Sequence, residues 1–312
     1  MTDNKPTREG FGLELAELGK TMLNLVVVSA DLEDSTRAEY FKKAFPDRHF
    51  SVGIAEQDMI GTAVGLSQNG MTVFANSFAV FLTNRAYDMI RIMVCFNNAN
   101  VKLACSHAGV TVGEDGGSAQ CLEDIAIMRV LPNMRVVCPV DNIETRKCTK
   151  AIAEEYGPFY MRLSRNAYPI ITSESDEFTI GKANMMRDGS DVTVIACGMM
   201  VSEALSAAEM LAKEGISTRV LNMHTIKPID KDAILRAADE TGAIVTAEEH
   251  QINGGLGSAV AEVLVQNKPV PVEMVAVRDV FSFSGKPDEL IERFNLKDVN
   301  IADACKKAFL RK

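Results

Sequence analysis

The sequence predicts an α/β protein in which a parallel-sheet domain flanked by helices is followed by a smaller α/β domain. Three features point to it. Short, near-continuously apolar runs alternate with helix-length segments, the pattern of strands buried on both faces. The alternation lapses once, from Tyr168 to Ser190, and then restarts. Polar and glycine-rich clusters follow the apolar runs, so they should gather at the carboxyl ends of the strands, where such sheets hold ligands. A chain of 312 residues is long enough for two domains.

Taken in order, Phe11–Asn24 has helical apolar spacing. Leu25–Val28 reads as a buried strand running out into Ser29-Ala30-Asp31-Leu32. Ala55–Ser67 reads as a helix in which Gly61 and Gly65 allow close packing. Thr72–Ala75 is a short strand, Phe78–Phe96 a long helix and Val101–Cys105 a buried strand. Leu122–Val130 is helical, Arg135–Val137 a strand, Asn142–Glu155 a helix and Phe159–Leu163 a strand. Residues 1–168 thus form the first domain. Residues 169–190 read as a linker, with Phe178-Thr179-Ile180 as a candidate strand inside it. Residues 191–312 form the second domain. Its strands are Val192–Ala196, Thr218–Leu221, Ala243–Thr246 and Val272–Val277. Its helices are Val201–Glu214, Lys231–Glu240, Gly257–Val265 and Pro287–Phe294.

Composition narrows the function. A net charge of −9 argues against a nonspecific nucleic-acid surface. No apolar run reaches the ~20 residues of a membrane span. The start, Met1-Thr2-Asp3-Asn4-Lys5, lacks a hydrophobic signal core, so a cytoplasmic protein is expected. The seven cysteines form no Cys-x-x-Cys pair and several lie in apolar runs, which reads as buried free thiols. The four histidines are scattered, and no residue set has metal-ligand spacing.

The stretch Val52-Gly53-Ile54-Ala55-Glu56-Gln57-Asp58 carries the most chemistry. By itself Glu56 is an acid at a helix start, favoured there by the dipole. Gly-Ile-Ala-Glu-Gln, however, resembles the pyrimidine-binding segment of transketolase-type thiamine diphosphate enzymes. The resemblance implies that Glu56 meets N1′ of the cofactor's aminopyrimidine and shares a proton with it, which a glutamine could not do. Phe78 and Phe81 are core residues by spacing, but Ser77-Phe78-Ala79-Val80-Phe81-Leu82 resembles the same pocket, with Phe81 at the stacking position. Asn84 falls where classical transketolases carry a tyrosine. Arg85-Ala86-Tyr87-Asp88 looks more like deoxyxylulose-phosphate synthase, and places Arg85 among the cofactor contacts.

Ser106–Met134 resembles one continuous family segment. It implies that His107 acts in catalysis and contacts the sugar phosphate, and that Asp115 hydrogen-bonds a sugar hydroxyl. Gly113 and Gly116 would let the backbone approach the ligand. Ser29-Ala30-Asp31-Leu32 resembles the signature after the first strand. Asp31 and Leu32 would then lie near the thiazolium, with the Ser35 hydroxyl on the substrate phosphate. The same run also reads as a helix cap with acidic first-turn residues. Arg165 in Arg162-Leu163-Ser164-Arg165 and Arg8 in Thr7-Arg8 match the family's phosphate arginines, for which a forked guanidinium is suited. In the second domain, Gly254-Gly255-Leu256-Gly257-Ser258 invites a phosphate-loop reading, although a tight loop entering a packed helix accounts for it better. His250 and Phe281–Pro287 also resemble the family's C-terminal domain, which serves mainly in assembly.

Two departures shape the expected role. Where the family reads Gly-x-Thr/Ser-His-Gln, this chain has Gly116-Gly117-Ser118-Ala119-Gln120. Ala119 removes an imidazole donor, a loss of ~1–3 kcal/mol, so the preferred donor sugar should differ. The family's Gly-Asp-Gly…Asn-Asn diphosphate motif is missing, so Mg²⁺ and the diphosphate need oxygen ligands from elsewhere. The resemblance covers only the C-terminal half of a full-length transketolase. It therefore implies the C-terminal subunit of a split enzyme, with a separate N-terminal subunit and two copies of each. The reaction implied is transfer of a two-carbon ketol unit from a ketose phosphate to an aldose phosphate. Rival readings are a deoxyxylulose-phosphate synthase-like enzyme, a 2-oxoacid dehydrogenase beta-type subunit, and a non-catalytic scaffold that kept the fold.

Overall fold

The computed structural model describes residues 4–312. Part of the N-terminal stretch read for a signal, Met1–Asp3, lies outside the described residues. The chain opens with β1 (Asn4–Pro6), α1 (Thr7–Thr21) and β2 (Leu25–Ser29). Two short helices, α2 (Glu33–Thr36) and α3 (Glu39–Ala44), lead to β3 (His49–Ser51). Helix α4 (Glu56–Gln68) begins at Glu56 itself and feeds β4 (Thr72–Phe78). Two π-helical stretches, Phe81–Arg85 and Ile90–Phe96, flank one turn of α5 (Tyr87–Met89). Then come β5 (Val101–Ser106), α6 (Asp124–Arg129), β6 (Arg135–Val137), α7 (Asn142–Glu154), β7 (Phe159–Arg162) and β8 (Ala167–Pro169). The second half runs β9 (Asn184–Arg187), β10 (Val192–Ala196), α8 (Met200–Lys213), β11 (Thr218–Asn222), β12 (Thr225–Lys227) and α9 (Lys231–Thr241). It closes with β13 (Ile244–Gln251), α10 (Leu256–Asn267), β14 (Val272–Val277), α11 (Pro287–Arg293) and α12 (Asp298–Phe309).

Strand order in the seven-stranded sheet is β12-β6-β7-β5-β4-β2-β3, and in the five-stranded sheet β14-β13-β10-β11-β9. The α/β class expected from sequence is what forms. Within these two sheets all pairings are parallel except at one edge of each, where β12 and β9 run antiparallel, and β1 and β8 form a separate antiparallel pair. Strands β12 and β9 are short pieces arriving from loops, which edge positions tolerate. Strand β12 lies in the second half of the chain yet completes the first sheet. Lys227 then caps two carbonyls beyond it, Arg129 O at 2.8 Å and Leu131 O at 2.6 Å.

Three local readings need correction. The helix expected over Phe78–Phe96 is interrupted, because β4 continues through Phe78, paired with Ser106 of β5. Phe178–Ile180 is not a strand; β9 forms a few residues later and pairs with β11 in the second sheet. A Cβ on Gly61 or Gly65 would meet nothing within 4 Å, so no close packing occurs there within this chain. Helix α12, absent from the sequence reading, buries Ile301, Cys305 and Ala308 in the second core. All seven cysteines are free and buried.

The joint between the halves is polar and titratable. Glu144 on α7 accepts from Val140 N at 2.7 Å and from the amide of Asn222, at the end of β11, at 2.8 Å. Burial pushes its carboxyl up to about 8, while those two donors resist the rise. Asn222 Oδ1 is buried without a partner, so a protonated Glu144 can donate to a flipped amide. Because the folded value lies above the ordinary 4.5, this stabilisation is complete below about 4.5 and lost as pH climbs through about 8. Wild type should therefore lose ~4 kcal/mol relative to Glu144→Gln over roughly pH 5 to 9. Urea midpoints of both proteins across that range check it, and parallel curves would sink it.

Candidate active site

The carboxyl ends of β2, β4 and β5, adjacent in the sheet, carry the site. Two residues just beyond them hold left-handed backbone, Asp31 (φ 59°) and His107 (φ 60°). Such conformations cost ~1–3 kcal/mol each and persist only where the surroundings enforce them. Beneath them lies a buried polar network that sequence reasoning missed. Ser29 Oγ meets His49 Nε2 at 3.0 Å and donates to Asn76 Oδ1 at 3.1 Å. Thr36 Oγ1 reaches the same oxygen at 2.9 Å, and Asn76 Nδ2 donates to Val28 O at 3.2 Å. Its one sequence signal was polar residues ending apolar strands.

Glu56 is buried, 5% exposed, at the first turn of α4. The chain reaches it through Gly53, whose φ of 74° suits glycine. Arg85 Nη1 donates to Glu56 Oε1 at 3.0 Å. The same guanidinium lies 4.2 Å from the Phe81 ring centroid. Gln57, next to Glu56, donates to Arg85 O at 3.0 Å and holds the segment that carries this arginine. Phe78 stacks on Phe81 at 5.5 Å and on His107 at 3.6 Å. Glu56, Phe78, Phe81, Arg85 and His107 are therefore brought together from α4, the π-helical stretch and two strand ends. A planar, protonated nitrogen group is held by a carboxylate edge-on and an aromatic face-on. An aminopyrimidine would need those same two contacts, so the donor set fits that group.

The other end of the site is cationic. Arg8 donates to Ser35 O, the backbone carbonyl, at 2.6 Å. Arg165 donates to Val112 O at 2.5 Å and lies 3.8 Å from Asp115. His107 is driven down to about 3 by burial and then by the charges of Arg8, Arg165 and Arg37, so its imidazole is neutral at ordinary pH. Its Nδ1 meets Ser106 Oγ at 2.8 Å. Arg37 was absent from the sequence reading. It sits two residues past Ser35 with a φ of 68°, and its Nε, like that of Arg8, is buried without a partner. Asp31 is exposed at the turn, and Leu32 O accepts from Thr36 at the start of α2. Neither hydrogen-bonds or pairs with Glu56 among the described residues.

The phosphate-loop reading of Gly254–Ser258 does not survive. Glu248 already fills the N-terminus of α10, accepting from Leu256 N at 2.7 Å and Gly257 N at 2.8 Å. A Cβ on Gly255 would lie 2.0 Å from that carboxylate. The glycine is there to admit the chain's own anion.

Residues 3–170 match the family model for the transketolase pyrimidine binding domain, and residues 181–301 that for the transketolase C-terminal domain. This chain belongs to the transketolase family. It is 47% identical over 301 residues to a Methanocaldococcus jannaschii protein provisionally named a transketolase C-terminal section, covering 96% of this chain and 94% of that one. It is 44% identical to a 6-deoxy-6-sulfo-D-fructose transketolase subunit of Clostridium, covering 92% and 89%. Against Rattus norvegicus transketolase it is 42% identical, covering 97% of this chain but 49% of that protein. A solved structure titled as an inactive beta4 tetramer of a split gene transketolase superposes with a TM-score of 0.92 at 45% identity, covering 99% and 100%. As a transketolase-family chain, it is a transferase component whose Glu56–Phe81 cluster and cationic end face one sheet edge.

Proposed function

We propose that this chain is the C-terminal, pyrimidine-side subunit of a two-chain transketolase acting in the cytoplasm. A separate N-terminal subunit supplies the diphosphate and Mg²⁺ site, and the enzyme assembles as two copies of each. The observation that carries the reading is Arg85, whose guanidinium bridges the Phe81 face and the buried Glu56 carboxylate. Relatives of nearly the same length that are named as transketolase sections or subunits support the split. The free, buried thiols suit a reducing compartment.

In this reading Glu56 and Phe81 hold the aminopyrimidine, with Phe78, Asp31 and Leu32 lining the cofactor. When bound, thiamine diphosphate supplies the nucleophile that carries the two-carbon ketol unit between sugars. Glu56 keeps a shared proton at its carboxylate. Arg85, half exposed on its side chain, yields its place over Phe81 and rims the pocket. His107 stays neutral and offers a hydrogen bond rather than a charge. Arg8, Arg165 and the Ser35 hydroxyl take the anionic end of the sugar, where the charges of Arg8, Arg165 and Arg37 converge on His107. Asp115 reads a hydroxyl. Ala119 leaves room where the family usually places an imidazole, and relatives named as 6-deoxy-6-sulfo-D-fructose and apulose-4-phosphate transketolase subunits support a substrate other than the usual one.

Calorimetry with thiamine diphosphate and Mg²⁺ tests the proposal, on this chain alone and then with the N-terminal subunit. Tight binding in the mixture and none by the chain alone is expected. Tight binding by this chain alone would overturn the division of the site. No binding by the mixture would leave the scaffold reading.

A further inference from the structure

The loop that carries Asp115 turns on three glycines. Gly109, Gly113 and Gly116 all have left-handed backbone, with φ of 88°, 82° and 76°. Its internal bonds are few: Gly116 N to Gly113 O at 3.1 Å, then Ala119 N and Gln120 N to Gly116 O at 3.0 Å. Arg165 of the first domain reaches it at Val112 O, 2.5 Å, and at the Glu114 and Asp115 carboxylates, 3.6 and 3.8 Å, and the remaining ties come from the second domain. Ser284 Oγ donates to Glu114 O at 2.7 Å, next to Asp115. The Gln120 amide donates to Gly113 O at 2.8 Å and to Phe283 O at 3.2 Å, tying loop and strap with one side chain. Gly117 lies so close to Ser282 that a Cβ would come within 2.4 Å of its carbonyl oxygen. Pro287 packs on Gly113, at 3.2 Å from where a Cβ would stand.

The strap is itself anchored at both ends. Gln251 accepts from Asp279 N at 3.0 Å and donates to Val280 O at 2.7 Å. Phe283 packs on Phe294 at 5.5 Å, and Pro287 opens α11. The loop is therefore referenced to the second core and not only to the sheet that precedes it.

We infer that residues 280–287 of the second domain are a positioning strap that sets where Asp115 meets the sugar. The second domain then has a part in substrate recognition beyond assembly. This rests on the transketolase reading above, since it takes Asp115 as a sugar contact. The strap touches the loop's carbonyls, not Glu56 or Phe81, so its loss should weaken the grip on the donor without weakening the cofactor. A hydroxyl contact made in ground and transition states alike appears in KM rather than in kcat.

The test uses the assembled enzyme, with its N-terminal subunit, thiamine diphosphate and Mg²⁺. Ser284→Ala removes one tether at an exposed residue. Gly117→Ala forces the loop off Ser282 O without altering the Asp115 side chain itself. Ser284→Thr keeps the hydroxyl. Donor KM should rise about 5- to 10-fold in Ser284→Ala and further in Gly117→Ala, with kcat within about twofold. Ser284→Thr should restore wild-type KM, and cofactor affinity should be unchanged in all three. Amide hydrogen exchange over residues 113–120 of the complex should quicken in the two weakened variants. An active wild type whose variants keep its KM would overturn the inference alone. A wild-type complex that transfers no ketol unit from any donor would overturn the reading of function and this inference with it.

Discussion

Glu56→Gln in the assembled enzyme is expected to lower ketol transfer on the order of 10³-fold, the scale of losing a positioned proton-sharing group. A glutamine fits the space and can hydrogen-bond, but cannot exchange the proton. Stability should move little. Among the described residues the only charged partner of Glu56 is Arg85, whose side chain is 52% exposed, so the unpaired cation stays solvated. Thiamine diphosphate should still bind, because Phe81 and the diphosphate site of the proposed N-terminal subunit are untouched by the change. Steady-state transfer, cofactor calorimetry and a thermal melt of the same preparation check all three parts. A variant within tenfold of wild type would sink the role of Glu56. A variant that no longer folds would sink the claim that its pair with Arg85 is dispensable.

The largest stability effect should come from Asp124→Ala, at about 3–5 kcal/mol. Asp124 is fully buried, and its Oδ2 accepts from Tyr160 OH at 2.6 Å and Arg162 Nε at 2.8 Å. Burial alone would raise its pKa, but the charge of Arg162 and these bonds hold it below the ordinary value. Arg162, 7% exposed, also donates to Glu249 O at 2.8 Å in the second domain. Removing the carboxylate strands a buried guanidinium at the joint between the domains. The paired change Asp124→Leu with Arg162→Met removes both charges and should cost less than Asp124→Ala alone. Urea denaturation of the three proteins decides it. A single variant within about 1 kcal/mol of wild type would show that water already reaches Arg162.

Much of this protein was legible one residue at a time. The alternation of apolar strands with helices gave the α/β class, because burial on both faces leaves a local signature. Leu25–Ser29, Val101–Ser106 and Val192–Ala196 formed where their apolar runs lay. Glu56 at the head of α4 and Phe81 near it were marked by short motifs, since a helix start and its neighbours are set by adjacent residues. Where the reading failed, the cause was distance. The helix expected from Phe78 gave way because pairing with β5 extended β4, an interaction between segments about thirty residues apart in sequence. Strand β12 joined the first sheet from the second half of the chain, where no local pattern names its partner.

The sequence by itself determined the α/β alternation, the acid that heads α4 and the absence of the family's diphosphate motif. Only the tertiary structure decided what surrounds them. It set Arg85 across both Glu56 and Phe81, gathered Arg37 with Arg8 and Arg165 around a neutral His107, and filled a glycine turn with Glu248. It also tied the Asp115 loop to Ser284, which is 170 residues away. Helix and strand periodicities come from bonds between near neighbours, so a sequence carries them openly. Charge clusters and straps depend on which strand ends share an edge, and that is settled only when the sheets close.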